Sequence, residues 1–371
     1  MMPSTPSVNP SRASHRARGA AARLLAGALL VALPAACDDS DPGDSAPDAA
    51  PAPDAAPAPT PDAAPEPGVR VDVIAEFDAT RMELPEGLAL GDGVAYVGLA
   101  FTGEILRIDL ETGARESFGR VAMPPPANNM PTATLTGLAI DQQGDLYATL
   151  DVTVASDIPE APQTGIYRID AEGGDAELFA ADDDMRFPNG IYVEGDSLFV
   201  TDSKGGAVFQ VALADGAVTR WVQHEELLPL ADNCAPAAIR LGANGIVKLG
   251  DAFYVANTDR AQIVKIPVTS TGAAGTPEIF LGPDCASLFG LDDIRATPDG
   301  KLVYAVNYGN RIGLAGPDGS NETLAQGEPL DGPASLEVLT NPLRIVVTNS
   351  SFGSFFTGQT PSPSLVTLTI E

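Results

Sequence analysis

From Pro85 onward, apolar and polar residues alternate in short runs that Gly, Asp or Asn interrupts. Period-two alternation between turn residues predicts β-strands joined by tight turns. The pattern recurs six times. Its copies are PEGLALGDGVAYVGLAFTGEILRIDLETG from Pro85, TGLAIDQQGDLYATLD from Thr136 and PNGIYVEGDSLFVTDSKGGAVFQVALADG from Pro188. The others are ANGIVKLGDAFYVANTDRAQIVKIPV from Ala243, LDDIRATPDGKLVYAVNYGNRIGLAGPDG from Leu291 and PASLEVLTNPLRIVVTNSSFG from Pro333. Each shows a short apolar strand, a tight turn, a second alternating strand and then a third. Equivalent positions fall at Gly87, Gly137, Gly190, Gly245, Asp293 and Ser335, 42 to 55 residues apart. That interval is one four-stranded blade, and six blades close a ring. The predicted fold is all-β, a six-bladed β-propeller over 69–371. The last repeat supplies only SLEVL, LRIVVTN and SLVTLTI, whereas 69–77 (VRVDVIAEF) lies before the first repeat. The N-terminal strand of the domain is therefore expected to complete the last blade from outside.

Ahead of the strands the pattern changes twice. Arg12, Arg16, Arg18 and Arg23 form a positive stretch without an acid, and 24–33 (LLAGALLVAL) is a short apolar run. Pro34-Ala35-Ala36-Cys37 follows, so 1–37 has the order of a secretory signal. Its apolar run is roughly half of what a membrane-spanning helix needs. Cys37 after two alanines resembles a bacterial lipoprotein lipidation site, although Pro34 and Leu33 depart from the usual residues. Plain cleavage beside Ala36 is the alternative. Residues 38–68 contain Pro-Asp-Ala-Ala-Pro three times and nothing that could build a core. They predict an extended, semi-rigid stalk. The expectation is a protein exported to the bacterial cell envelope, touching a membrane only through an N-terminal lipid anchor.

Charge narrows the partners. Of 21 basic and 50 acidic residues, four arginines precede Cys37 and eight acids fall in the stalk, which leaves 17 against 42, a net of −25, in the repeat region. Nucleic acid and anionic headgroups are poor partners for such a surface, whereas cations and small neutral molecules are not excluded. A monomer is expected.

In a propeller, the innermost strands of all blades begin near one axis. The residues just before the six equivalent positions are Glu86, Thr136, Asn189, Asn244, Asp292 and Ala334. Any one of them alone is an ordinary turn residue. Two carboxylates and two carboxamides at one repeat position are not what core packing selects. Their hard oxygens suit calcium, and the lack of His or Cys argues against zinc. A second set, Asp202, Asn257, Asn307 and Asn349, ends the second strands and reads mainly as turn and inter-blade hydrogen-bonding residues, with support of the metal ligands as the lesser reading. Cys234 lies ten residues before Asn244 and Cys285 seven before Asp292, in loops entering adjacent blades. In an oxidising compartment they are expected to pair.

The six repeats, with Pro-Glu-Gly, Pro-Asn-Gly, Ala-Asn-Gly and Leu-Asp-Asp in blades one, three, four and five, resemble one superfamily. It holds the senescence marker protein, gluconolactonase and luciferin-regenerating enzyme group, with the diisopropylfluorophosphatases and paraoxonases. The resemblance implies a six-bladed propeller with axial calcium and hydrolysis of lactones, esters or phosphotriesters. Glu86, Asn189, Asn244 and Asp292 match the Glu, Asn, Asn and Asp that hold the catalytic calcium in the last two groups, and Asp292 matches the proposed nucleophile or base. Asp293 falls where paraoxonases carry a further Asn ligand. It and Thr136 are the candidates for contact with a small-molecule substrate. Two features depart from the pattern. With His15 in the signal, only His224 remains, so a histidine pair beside the metal is excluded. Blade two has a long insert, 152–164, and no evident arginine for a sugar acid. The alternative is a non-enzymatic envelope lipoprotein that uses its propeller as a binding platform.

Overall fold

The computed structural model describes residues 68–127, 130–152, 162–230, 234, 240–340 and 342–370. Cys37, the rest of the export segment and the stalk up to residue 67 lie outside the described residues, as does most of the blade-two insert (153–161). No helix among the described residues is long and apolar enough to cross a membrane.

Six antiparallel sheets form a ring, with almost no helix between them. The innermost strands are Pro85–Leu90, Thr134–Ile140, Pro188–Glu194, Ala243–Leu249, Leu291–Ala296 and Pro333–Leu339. Each is followed outward by three neighbours in chain order, with one exception. Blade six runs outward through Arg344–Asn349 and Ser364–Ile370, and its outermost strand is Val69–Glu76. Val69 pairs with Ile370 and Glu76 with Ser364, so the two ends of the domain are hydrogen-bonded into one sheet. Blades one and two are also stitched at their rims, where Gly174–Asp175 pairs in parallel with Arg115–Arg120.

Apolar side chains fill the wedges between blades. Across the closing seam, Leu88, Val97 and Ile108 of blade one pack with Val346 and Leu365 of blade six and with Phe77. Each such side chain contributes about 1.5–3 kcal/mol on burial. Hydroxyls add directional bonds across the same seams. Thr149 Oγ1 donates to the Asn189 carbonyl (2.7 Å), Thr201 to that of Asn244 (2.6 Å), Thr258 to that of Leu291 (2.8 Å) and Thr348 to that of Glu86 (2.8 Å). These threonines fix the backbone of the next blade beside its innermost polar residue.

All six innermost strands carry the same irregularity. Pairing with the second strand skips a residue between Pro85 and Leu88, Leu135 and Leu138, Pro188 and Ile191, Ala243 and Ile246, Leu291 and Ile294, and Pro333 and Leu336. Such a β-bulge leaves one residue unpaired, bends the strand and re-aims a side chain. The bulged pairs are Glu86-Gly87, Thr136-Gly137, Asn189-Gly190, Asn244-Gly245, Asp292-Asp293 and Ala334-Ser335. The glycines are required by close approach. A Cβ on Gly190 would stand 2.4 Å from the Asn244 carbonyl oxygen, and one on Gly87 would stand 2.2 Å from that of Thr136.

Candidate functional site

The bulges bring Glu86, Asn189, Asn244 and Asp292 to the wall of one cavity on the axis, completed by Gly137, Gly190, Gly245, Asp293, Arg295 and Ser335. Its free space is about 10 Å³, room for one ion or one water. Glu86, Asn189 and Asn244 are buried, whereas Asp292 is partly exposed at the opening.

The hydrogen bonds decide which atoms are left for a ligand. Asn189 donates through Nδ2 to Ser203 Oγ (3.1 Å). Asn244 donates through Nδ2 to Thr258 Oγ1 (3.0 Å) and to Asp292 Oδ1 (2.7 Å). With both amide nitrogens engaged, the carboxamide oxygens are the atoms these residues have to offer. The other Asp292 oxygen accepts from Asn307 Nδ2 at 3.1 Å. Asp292 is thus held from two sides by amides. Glu86 Oε2 is buried without a hydrogen-bond partner.

Electrostatics reinforce this picture. Burial pushes the Glu86 carboxyl well above its ordinary value, and the charges of Asp292 and Asp293 push it further. Burial, followed by repulsion from Asp293, pushes Asp292 up to about 8, against the opposing hydrogen bonds from Asn244 and Asn307. Arg295 lines the same cavity but is already paired, with Asp293 Oδ1 at 2.7 Å and Glu337 Oε1 at 2.9 Å. Two carboxylates therefore face the axis without a counter-charge of their own.

These residues fit a calcium ion. Their donors are carboxylate and carboxamide oxygens, one carboxylate oxygen is buried without a partner, and the space matches a single ion. Among the described residues no three His, Cys, Asp or Glu side chains converge as a metal site. The donor set consequently depends on the two asparagines, which sequence position alone brought to notice.

Two residues assigned to substrate are committed elsewhere. Thr136 Oγ1 donates to the Pro188 carbonyl (2.9 Å) and lies 2.8 Å from Thr149 Oγ1, so it binds blade two to blade three. Asp293 accepts from the Ile294 N–H and Arg295 through Oδ1, and from the Leu336 N–H through Oδ2 (3.0 Å). It anchors blade five to blade six, because its place in the bulge turns it along the wall instead of toward the axis. The second ring is divided. Asp202 accepts four backbone N–H groups, from Arg186, Phe187, Lys204 and Gly205. Asn257 and Asn349 likewise bond to nearby backbone carbonyls. Asn307 alone of this ring reaches a site residue. His224 caps a short turn by accepting the Glu226 N–H, away from the axis. A disulfide joins Cys234 to Cys285 with Cα atoms 5.2 Å apart, tying the approach to blade four to the approach to blade five.

No family model matches the sequence. No curated protein matches it either. Solved structures do. A gluconolactonase from Xanthomonas campestris is 17% identical, over 82% of this chain and 90% of that one, with a TM-score of 0.57. A luciferin-regenerating enzyme is 12% identical, over 81% and 95%, with a TM-score of 0.59. A streptogramin B lyase is 18% identical, over 76% and 80%, with a TM-score of 0.50. Gluconolactonases, luciferin-regenerating enzyme and streptogramin B lyase are six-bladed propellers, and this chain shares their fold.

Proposed function

We propose that the axial site is the active site of a calcium-dependent hydrolase acting on lactones, esters or phosphotriesters. The observation that carries this reading is the convergence of Glu86, Asn189, Asn244 and Asp292 on one ion-sized cavity, with a partnerless carboxylate oxygen and no free counter-charge. Those four residues would hold the ion. Bound calcium supplies Lewis-acid polarisation of a carbonyl or phosphoryl oxygen and the positive charge that lets both carboxylates ionise at neutral pH.

The chain's own residues do the rest. Asp292 stands at the opening with its carboxylate held by Asn244 and Asn307, so it meets a substrate in a fixed orientation. As a general base it takes a proton from water while the water oxygen adds to the carbonyl carbon of a lactone. The ring C–O bond then breaks, the leaving oxygen takes the proton back from Asp292, and a hydroxy acid results. Glu86, buried with one oxygen unpartnered, serves to hold the ion. The cavity is too small for a substrate, which must sit above it on the open face.

A panel of lactones, aryl esters and phosphotriesters, assayed with calcium and with a chelator, tests the reading. Turnover should vanish with chelator and return with calcium. Calcium binding by calorimetry with no turnover on any panel member would reject the enzyme and leave a calcium-stabilised binding platform.

A further inference from the structure

Aromatic rings stand in two groups, Phe289 with Tyr308 and Phe101 with Phe352 and Phe356, on the face that carries the opening. Phe101 follows the second strand of blade one, Tyr308 follows that of blade five, and the helix Phe352–Thr357 follows that of blade six. All lie at the end of the ring where the innermost strands begin. The Ala100 N–H bonds to the Leu84 carbonyl, the Asn307 N–H to that of Gly290, and the Ser351 N–H to that of Asp331. Phe101 packs on Phe352 and Phe356 across the seam of blades one and six, with centroids 5.4 and 6.0 Å apart. Tyr308 packs on Phe289 at 5.3 Å, and its ring lies against Gly290, two residues before Asp292. Tyr308 directly follows Asn307, whose Nδ2 donates to Asp292 Oδ2 at 3.1 Å, so the ring stands beside the site. Yet Tyr308 is 53% exposed and Phe356 37%.

We infer that this aromatic arc over blades five, six and one is the substrate-selecting subsite, and that it takes an uncharged alkyl or aryl substituent on the lactone or ester. The assignment rests on the hydrolase reading of the axial site. Position and exposure support it. Exposed rings beside a polar cavity offer apolar area that is already ordered. Nearby polar side chains are engaged with one another: Ser354 donates to Asp331 Oδ1 (2.7 Å), and Asp331 Oδ2 accepts the Ser362 N–H (3.0 Å). The net charge of −25 in the repeat region disfavours anionic substituents.

The test uses the full chain and γ-lactones of increasing alkyl length. Binding is read by displacement of the neutral fluorophore N-phenyl-1-naphthylamine, and turnover is read separately. Affinity and kcat/KM should rise about two- to fourfold per methylene until the arc is covered. Tyr308→Ala and Phe356→Ala, both at exposed positions, should flatten that series about tenfold for the longest member while sparing the shortest. An affinity independent of chain length, an equal slope in the variants, or tighter binding of gluconolactone would overturn the inference. So would concentration-dependent dimerisation that displaces the probe, since the arc would then be a contact between copies. A length-dependent affinity without turnover would reject the hydrolase and keep the subsite. Turnover without length dependence would do the reverse.

Discussion

Two rings of acids and amides surround the axis of this propeller, and they have opposite fates. The inner ring, Glu86, Asn189, Asn244 and Asp292, lies on β-bulges, where the strand yields a residue to the cavity. The outer ring, Asp202, Asn257 and Asn349, ends the second strands, where the chain turns and its N–H and C=O groups need partners. There the side chains satisfy backbone, four N–H groups for Asp202 alone. The lesson is that residue type does not mark a ligand. A polar side chain is available to an ion or substrate only where local backbone geometry has not already engaged it. Asn307 crosses the divide. Its Nδ2 faces Asp292 Oδ2 as well as the Gly332 carbonyl and Ser350 Oγ, so it is a turn residue that also positions the candidate base.

The largest effect expected from this division is on chemistry. Asp292→Asn should keep the fold, weaken calcium moderately and lower turnover by about 10²–10⁴-fold, the range for removing a positioned base. Glu86→Gln should lose activity that added calcium restores. Calorimetry and steady-state kinetics check both. Wild-type calcium affinity in both variants would place the inner ring with the outer one.

Asp202→Asn should act on stability instead. Sequence reasoning expects so small a change to be mild. The structure shows that the amide would turn a donor toward backbone N–H groups, leaving one or more unpaired at about 1–3 kcal/mol. The midpoint of denaturant unfolding should fall while the calcium Kd stays unchanged. An altered Kd would mean that the rings are not separate.

A smaller effect concerns pH. Asp292 has a folded value of about 8 in the absence of calcium, above its ordinary 3.8, so between these values the folded chain binds more protons than the unfolded chain. Its contribution to stability is favourable at the acid end and is lost as pH rises toward 8. The thermal midpoint of chelated wild type should therefore fall relative to that of Asp292→Asn between pH 5 and pH 8, and calcium should narrow the gap. Parallel melting profiles for the two proteins would contradict this.

The smallest effect tests how the inner ring is braced. Thr348→Val removes the hydroxyl bond to the Glu86 carbonyl across the closing seam and should cost about 1 kcal/mol. Calcium affinity should drop slightly with it. A loss of stability with no change in affinity would show that the seam does not position Glu86.

Much of this was legible in the sequence. Repeats at a 42–55-residue interval carried the blade count, and the strand-like 69–77 ahead of the first repeat carried the closure. The equivalent repeat positions pointed to the residues that line the cavity, and two loops entering adjacent blades pointed to the Cys234–Cys285 bridge. The bonds that engage Thr136 and Asp293 were not legible, for one reason. Membership of the repeat position is visible in a sequence, but the direction of a side chain within a bulge is not. Thr136 meets the Pro188 carbonyl 52 residues away, and Asp293 meets the Leu336 N–H 43 residues away. Asn307 could not be told from Asn257 and Asn349, because all three occupy the same position in the repeat.

Sequence by itself determined what local patterns encode: strand periodicity, turn chemistry, the number of blades, the acidic surface and the hard-oxygen character of the axis. Those features depend on residue identity and spacing along one chain. Tertiary structure decided which polar atoms stay free, how Asn244 and Asn307 grip Asp292, and that Phe101 of blade one meets Phe352 and Phe356 of blade six. These depend on neighbours brought together by ring closure. Their energies come from contacts between segments separated by tens to hundreds of residues, as in the Thr348 hydroxyl on the Glu86 carbonyl 262 positions away.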